Sequence, residues 1–341
     1  MNARVAGSAY HAVEGAEPMA STKSSRVNPK YKKTYRVRHW RAYERGLRAR
    51  GDVTAWFAEE ALRTCTPPPT RCRGGQQRYS NLAILTALSL RMLFHLPLRQ
   101  TEGFVASLLR LMDLDLNAPD HTTLSRRNRD VLVPALTRAG DRPIHLIVDS
   151  TGLKIYGAGE WCSRKHRKAH QRGGWRTLHI GVDDDGYVVA EALTQNAVDD
   201  ADMLPDLLGQ IGAPLRRFTG DSAYDTRSVY TAVGAAGGPG VEVVVPPRRL
   251  ATASPQATGP WEPRNQPAER IAEIGRQAWQ RETDYRQQAR VEGTFLRYTR
   301  ILGGSLRAKG FEAQQREARV GCTVLNKMLT LGTAQSSAVT A

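Results

Sequence analysis

The chain has 341 residues, with 49 Lys and Arg against 33 Asp and Glu, so its formal net charge at pH 7 is +16. Hydrophobic residues make up 40% of it, which favours a globular chain over a disordered one, and no apolar run approaches the ~20 residues that span a bilayer. The basic excess predicts a polyanionic partner such as nucleic acid, because cationic side chains displace condensed counterions. A ribosomal or membrane-surface protein is the alternative.

The N-terminus lacks the apolar core of a secretion signal, and the four cysteines form no CxxC pair. We therefore expect a cytoplasmic, nucleoid-associated protein of a reducing compartment. Cys162, His166 and His170 can be combined into a zinc site, but their spacing matches no common zinc finger. We interpret them as incidental members of an exposed basic loop.

Residues 1–35 are basic and lack apolar periodicity, which predicts a disordered arm. Residues 36–138 have a helical pattern. Ser80 begins an apolar helix that runs to Phe94, and a second helix is predicted from Arg99 to Met112. A third follows Asp120 and carries the candidate DNA-binding residues Arg126 and Arg127.

Short helices, a tight turn and a basic last helix predict a helix-turn-helix-like region that binds DNA. A plain helical bundle with a solvated basic face explains the same pattern equally well.

Strands replace helices from Ile144 onwards. Branched apolar runs predict strands, and Asp183–Gly186 predicts a hairpin turn between two of them. The predicted mixed α/β order is compatible with an RNase-H-like catalytic domain over residues 139–332, followed by a disordered tail at 333–341. The predicted elements are strands at 144–148, 177–182, 187–193, 215–219 and 241–245, and helices at 202–211, 227–236 and about 268–302.

Two aspartates follow predicted strands. Asp149 comes directly after the first strand and Asp221 just after the fourth. If these strands are neighbours, both carboxylates emerge at the same end of the sheet, where they repel unless a cation lies between them. A third carboxylate from a packed helix would complete a two-metal site for phosphodiester chemistry.

Six motifs, in this order and spacing, resemble the DDE transposases of bacterial insertion sequences, of the insertion-sequence-five type, over about residues 36–332. The resemblance implies Asp149, Asp221 and Glu292 as the catalytic, metal-binding triad, holding two Mg²⁺ ions for which Mn²⁺ substitutes. The partner it implies is double-stranded DNA, as terminal inverted repeats and target. We expect no membrane partner, and a homodimer or higher oligomer on DNA. The motifs are Tyr79–Ile84, Phe94–Phe104, Pro119–Arg127, Val148–Gly152, Gly220–Asp225 and Val291–Phe295.

The glutamate motif of that family reads Tyr, two residues, Arg, three residues, Glu, six residues, Lys. Tyr285 and Glu292 match it, whereas Gln288 and Thr299 stand in the Arg and Lys places. Arg300 and two further arginines lie nearby and can substitute. The departure leaves open an inactive copy.

On one continuous helix, Glu292 shares a face with Tyr285, Gln288, Phe295 and Thr299, so we expect it to lie among neutral neighbours facing the sheet. Another face is predicted to contact the DNA backbone, as is the basic loop within residues 157–176. These candidate DNA-binding residues are Arg286, Arg290 and Arg297 on the helix, and Arg164, Lys165, Arg167, Lys168 and Arg172 in the loop.

Other aspartates have simpler interpretations. Asp183, Asp184 and Asp185 are explained by the hairpin turn. Asp200 or Asp202, and likewise Asp225, are expected to cap helices.

The leading function is therefore metal-dependent DNA cleavage by water, followed by joining of a 3′-OH to target DNA. The alternatives are a nuclease of the same fold without strand transfer, and a transposase-derived DNA-binding protein.

Overall fold

The computed structural model describes residues 34–57, 62–67, 76–136, 142–157, 174–195, 198–238, 240–248, 263–334 and 336–339. By their contacts, residues 41–333 form one unit, and residues 1–40 with 334–341 form another. Each unit is described separately.

The N-terminal helices begin at the capping residues that the sequence indicates. After α1 (Trp40–Gly51), α2 (Asn81–Leu93) begins where Ser80 Oγ accepts a hydrogen bond from Ala83 N at 3.1 Å. The helix α3 (Leu98–Leu111) follows a turn, and α4 (His121–Arg127) begins at Asp120, whose carboxylate accepts from Thr122 N and Thr123 N at 2.9 Å. These contacts satisfy amides that a helix start leaves unpaired. The three predicted helices are confirmed.

The main sheet is mixed. Its strands are β2 (Ile144–Ile155), β3 (Trp175–Val182), β4 (Val188–Gln195), β5 (Leu215–Thr219), β6 (Glu242–Val244) and β7 (Ser305–Leu306). In the described chain the order is β4–β3–β2–β5–β6, and the short β7 pairs with the far end of β2. β3 runs antiparallel to β2 and β4, whereas β2, β5 and β6 are parallel to one another. A mixed sheet of this order with flanking helices is the predicted RNase-H-like arrangement.

The helices around the sheet differ from the predicted ones in length. The region predicted as one long helix over 268–302 is broken at Gly275 and Asp284, which have positive φ angles of 82° and 49°, a conformation that helices do not contain. The predicted helix at 202–211 is a 3₁₀ turn followed by a short helix, and the last long helix was not predicted. The helices are α5 (Leu204–Leu208), α6 (Arg227–Gly237), α7 (Asn265–Ile274), α8 (Arg276–Glu282), α9 (Ala289–Ile301) and α10 (Phe311–Thr330).

The N-terminal helices and one face of the sheet share a single core. Ile84 of α2 and Leu124 of α4 belong to the same buried cluster as Leu178 of β3, Val291 of α9 and Cys322 of α10. The boundary predicted at residue 138 therefore does not separate two hydrophobic cores. Within the described residues no single helix is both long and apolar enough to cross a bilayer; α2 and α3 reach that length and composition only jointly, across a bend of 112°.

Two short strands that are far apart in the sequence pair with each other. β1 (Thr34–Val37) runs antiparallel to β8 (Ser336–Val339), with Thr34 opposite Val339. The prediction of a disordered tail at 333–341 is therefore wrong for residues 336–339, because a partner strand supplies their backbone hydrogen bonds. The predicted arm overlaps β1 at residues 34 and 35, and its first 33 residues lie outside the described ranges.

Candidate active site

Asp149 and Asp221 stand at the same level of two neighbouring parallel strands. Ile147 of β2 is the register partner of Thr219, the last residue of β5, and each aspartate lies two residues beyond its member of that pair. Adjacent strands are about 4.8 Å apart, so the sheet holds the two carboxylates side by side. Asp221 is oriented further by Ala223 N, which donates to Oδ1 at 2.9 Å.

The start of α9 lies against β2 beside Asp149. Gln288, just before this helix, is buried and donates a hydrogen bond from Nε2 to the carbonyl oxygen of Val148 at 3.0 Å. Burial raises the pKa of the Tyr285 hydroxyl to about 12, with further contributions from the charges of Asp221, Asp149 and Glu292. The charges of all three predicted triad residues thus act on the Tyr285 hydroxyl, and Glu292 lies one helical turn beyond Gln288.

Glu292 itself is exposed, whereas its neighbours Val291, Thr294 and Phe295 are buried. The expected neutral neighbours are present, but the expectation that Glu292 itself faces the sheet is wrong, because its side chain is exposed. Residues 285–288 form a 3₁₀ turn rather than α-helix. Because a 3₁₀ turn has 3.0 residues per turn instead of 3.6, the face predicted for one continuous helix does not persist.

Asp149 experiences the combined field of the surrounding acids. Burial raises its pKa to about 6, the hydrogen bond from Ser150 N lowers it, and the charges of Asp221, Asp200 and Glu292 raise it further. Ionisation of Asp149 therefore costs free energy, and a cation bound nearby would offset that cost.

The charge of a fourth carboxylate, Asp200, also acts on Asp149, although its sequence position predicts a helix cap. It lies in the 3₁₀ turn Asp200–Met203 and does not cap it; Asp199 occupies that position. The buried His179 of β3 places Nδ1 3.3 Å from Asp200 Oδ1, and its Nε2 lies 2.9 Å from Thr194 Oγ1. His179 thus lies beside Asp200 at an ion-pair distance, although its Nδ1 forms no hydrogen bond of good geometry in the described structure. A His predicted inside a strand was the only sequence signal for this contact.

The donor set fits a divalent cation, although the triad does not form a closed coordination sphere. Among the described residues, no three His, Cys, Asp or Glu side chains are placed to hold one metal ion. The available donors are carboxylate oxygens, which Mg²⁺ and Mn²⁺ prefer. The buried Tyr224 hydroxyl has no hydrogen-bond partner in the described structure and lies in the field of Asp200, Asp149 and Asp221. These acids and a buried polar atom fit a cation site.

Two family models, both described as a transposase DDE domain, match the chain. The first matches residues 48–158 and the second residues 140–327, more than half of the chain. This chain belongs to the DDE transposases. Members of the family cut and join DNA and depend on divalent metal ions. The first match runs across residue 138, in agreement with the shared core.

Asp183 and Asp225 of this transposase make structural contacts. The Asp183 carboxylate accepts hydrogen bonds from Asp185 N and Tyr187 N at 2.9 Å, which confirms the hairpin turn. Asp225 does not cap α6, because Thr226 takes that place. Asp225 is buried and pairs with Arg264 at 3.2 Å.

The candidate DNA-binding residues of the transposase lie in three places: the end of α4, the basic loop and the region around α9. Arg126 is exposed. Arg127 is not available to DNA, since it is buried and donates to the carbonyl of Tyr79 at 3.0 Å. The candidates in the basic loop all lie outside the described residues; they are Arg164, Lys165, Arg167, Lys168 and Arg172.

The arginines around α9 contact the protein itself. Arg290 donates to the carbonyl of Asp184, and Arg286 pairs with Asp284. Arg297 is half-buried and donates to Gly186 O at 3.3 Å. Arg290 and Arg297 thus connect α9 to the β3–β4 hairpin, so the three arginines do not form one free basic face. Arg286 and Arg290 are nevertheless exposed and remain predicted DNA contacts.

Proposed function

We propose that this chain is the transposase of an insertion sequence, of the insertion-sequence-five type. It binds the terminal inverted repeats of its element, cleaves DNA by metal-dependent hydrolysis and joins the 3′-OH ends to target DNA, as a homodimer or higher oligomer. The observation that carries the proposal is the matched register of Asp149 and Asp221, with Glu292 on the helix anchored beside them.

In the proposed reaction, Asp149, Asp221 and Glu292 would hold two divalent cations, Mg²⁺ in the cell, which supply positive charge against the scissile phosphate. The sheet fixes two of these carboxylates, because neighbouring strands hold their backbones in register. Gln288 fixes the third through its bond to Val148. Preorganised groups of this kind do not have to reorganise during the reaction.

Water attacks the scissile phosphorus and releases the 3′-OH of the element end; this 3′-OH then attacks a phosphorus of the target strand and releases a 3′-OH on the target. Both reactions take place beside the same three carboxylates. No side-chain nucleophile and no covalent protein–DNA intermediate is required. The formal charge of +16 supports a DNA partner, since phosphate contacts by Lys and Arg supply most sequence-independent affinity.

The proposal is tested with duplex DNA carrying both ends of the host element, whose inverted repeats are read from the DNA flanking the gene. We expect cleavage at the ends and joining to a second duplex, both dependent on Mg²⁺ or Mn²⁺ and both absent in Asp149→Asn. Metal-dependent nicking without preference for the ends would instead indicate a nuclease of this fold. Binding to the ends without any cleavage would indicate a DNA-binding derivative or an inactive copy.

A further inference from the structure

A basic groove of about 1180 Å³ lies between the N-terminal helices and the far end of β2. None of its described lining residues is an Asp or Glu. Its volume exceeds the roughly 300–1,000 Å³ of pockets for small ligands, so a polymeric anion fits it better than a metabolite. The residues on which the argument rests are Arg91, Arg99, Arg126, Arg129, Tyr156 and Arg307.

Three exposed arginines line the outer part of the groove. Arg126 lies in the last turn of α4 and Arg129 in the turn that follows the helix; both line the groove and both are exposed. Arg99 is also exposed and lies in the first turn of α3, where Pro97 makes no side-chain capping bond. The partial positive charge of a helix start adds to that of the arginines.

The floor of the groove holds a buried cation without a complete set of partners. Arg91 of α2 is 8% exposed, and its Nε is buried with no hydrogen-bond partner in the described structure. The nearby acid is Glu317 of α10, but its oxygens accept from Arg307 N at 3.0 Å and from Ala308 N at 2.7 Å. A buried guanidinium that lacks hydrogen-bond partners is destabilising, so an anionic ligand would supply the partners that Arg91 lacks.

The groove includes Tyr156, the residue that follows the strand carrying Asp149. Tyr156 follows β2 directly and is seven residues beyond Asp149, roughly 23 Å at about 3.3 Å per residue. One DNA strand covers that distance in about seven nucleotides at 3.4 Å each. Tyr156 is 75% exposed, and its aromatic ring is a group on which a base can stack.

We propose that this groove binds the phosphodiester backbone of the DNA substrate about seven nucleotides from the cleavage site. This inference rests on the proposed function, because it assumes that the cleaved strand passes the carboxylates. Arg99, Arg126 and Arg129 contact phosphates at the rim, while Arg91 and Arg307 receive one at the floor.

The test compares Arg126→Gln/Arg129→Gln with Arg110→Gln in the full chain. Arg110 is a matched control because it is an exposed arginine of α3, about 16 Å along the helix from Arg99 and outside the groove lining. Affinity for a duplex carrying an element end is measured over a range of salt concentrations. We expect the double variant to bind at least about tenfold more weakly, with a log–log salt slope shallower by about 2, since each phosphate contributes about 0.9. Arg110→Gln keeps the wild-type slope.

Two further measurements separate the possible outcomes. Inorganic phosphate and a nucleoside monophosphate are titrated as competitors; if either binds at micromolar concentration while the double variant binds DNA normally, the groove is a small-anion site and the inference is wrong. If the wild type cleaves element ends and the double variant shows an unchanged slope, the inference fails while the proposed function stands. If the double variant loses affinity but the wild type cleaves nothing, the DNA groove stands and the proposed function fails.

Discussion

Gln288 donates a 3.0 Å hydrogen bond from Nε2 to the carbonyl of Val148, the residue before Asp149. The position that the family motif fills with arginine thus ties the helix of Glu292 to the strand of Asp149. Gln288 is buried, so the contact is shielded from competing water.

We expect Gln288→Ala to destabilise the protein by about 1–3 kcal/mol, because the buried carbonyl of Val148 loses its partner. Cleavage should fall by more than this loss of folded protein explains, since the start of α9 is no longer fixed. Urea unfolding and nicking rates measure the two effects. Gln277→Ala, at an exposed position of α8, is the control; equal effects of both substitutions would contradict the anchoring role.

Asp149→Asn should stabilise the cation-free protein while abolishing cleavage. The folded-state pKa of Asp149 is raised to about 6 from an ordinary 3.8, by burial and neighbouring acids. Between these values the folded protein keeps a proton that the unfolded chain has lost. Stability therefore falls as the pH rises from about 4 to 6 and stays lower above it.

The gain at pH 7.5 should be about 1–2 kcal/mol, allowing for solvent screening of a partly exposed group, and should vanish below pH 4. Unfolding curves from pH 3.5 to 8 measure it, with Asp206→Asn at an exposed site as control. Added Mg²⁺ should stabilise the wild type but not Asp149→Asn. A gain that persists at pH 3.5 would point to a cause other than charge.

Glu292→Gln should reduce cleavage by more than about 100-fold, because even indirect supports of metal ligands account for 10–100-fold. Binding to the element ends should stay close to that of the wild type. Glu282→Gln is the matched control: this exposed glutamate pairs with Arg270 at 3.0 Å, a surface contact worth about 0–1 kcal/mol. If Glu282→Gln reduced nicking more than Glu292→Gln, the third carboxylate of the site would not lie on α9.

Asp200→Asn should lower cleavage about 10–100-fold, as for a group that supports a metal site. His179→Gln should have a smaller effect in the same direction, because it loosens Asp200 without removing its charge. Asp202→Asn alters an exposed acid of the same 3₁₀ turn and should be silent. Cleavage rates against Mg²⁺ concentration provide the measurement, and equal rates for Asp200→Asn and Asp202→Asn would remove Asp200 from the site.

Features with local causes were predicted from the sequence. Ser80 and Asp120 mark helix starts through hydrogen bonds to amides two or three residues away. The Asp183–Gly186 hairpin follows from turn chemistry, with Gly186 at φ 81°. Asp149 and Asp221 were placed together because each follows an apolar run, and the register of β2 and β5 agrees. The predicted end of the first strand at residue 148 is wrong, because Asp149 lies within β2, which continues to Ile155.

Features with distant causes were missed. Asp200 resembles a helix cap until β3 brings His179 beside it. β8 has a partner almost a whole chain length away. The pattern of α10 is obscured because Gln314 and Glu317 are buried in it, where they bind backbone groups of the segment before the helix.

A fragment of residues 139–332 should not fold, although the sequence pattern suggests a separable catalytic domain. The fully buried Ile84 and Leu124 lie in one cluster with Val291 of α9. Deleting the N-terminal helices exposes that face of α9 and α10 to water. Each large side chain lost from such a core costs about 2–5 kcal/mol, and several losses exceed the roughly 5–15 kcal/mol that stabilises a folded protein.

Circular dichroism and urea unfolding of the fragment provide the measurement. We expect no cooperative transition and no metal-dependent nicking, whereas residues 41–333, which form one unit by their contacts, should unfold cooperatively. The comparison is informative because both fragments retain Asp149, Asp221 and Glu292, so a difference in nicking reflects folding rather than loss of a ligand. A fragment of residues 139–332 that unfolds cooperatively and nicks DNA would show that the helices are needed only for DNA recognition.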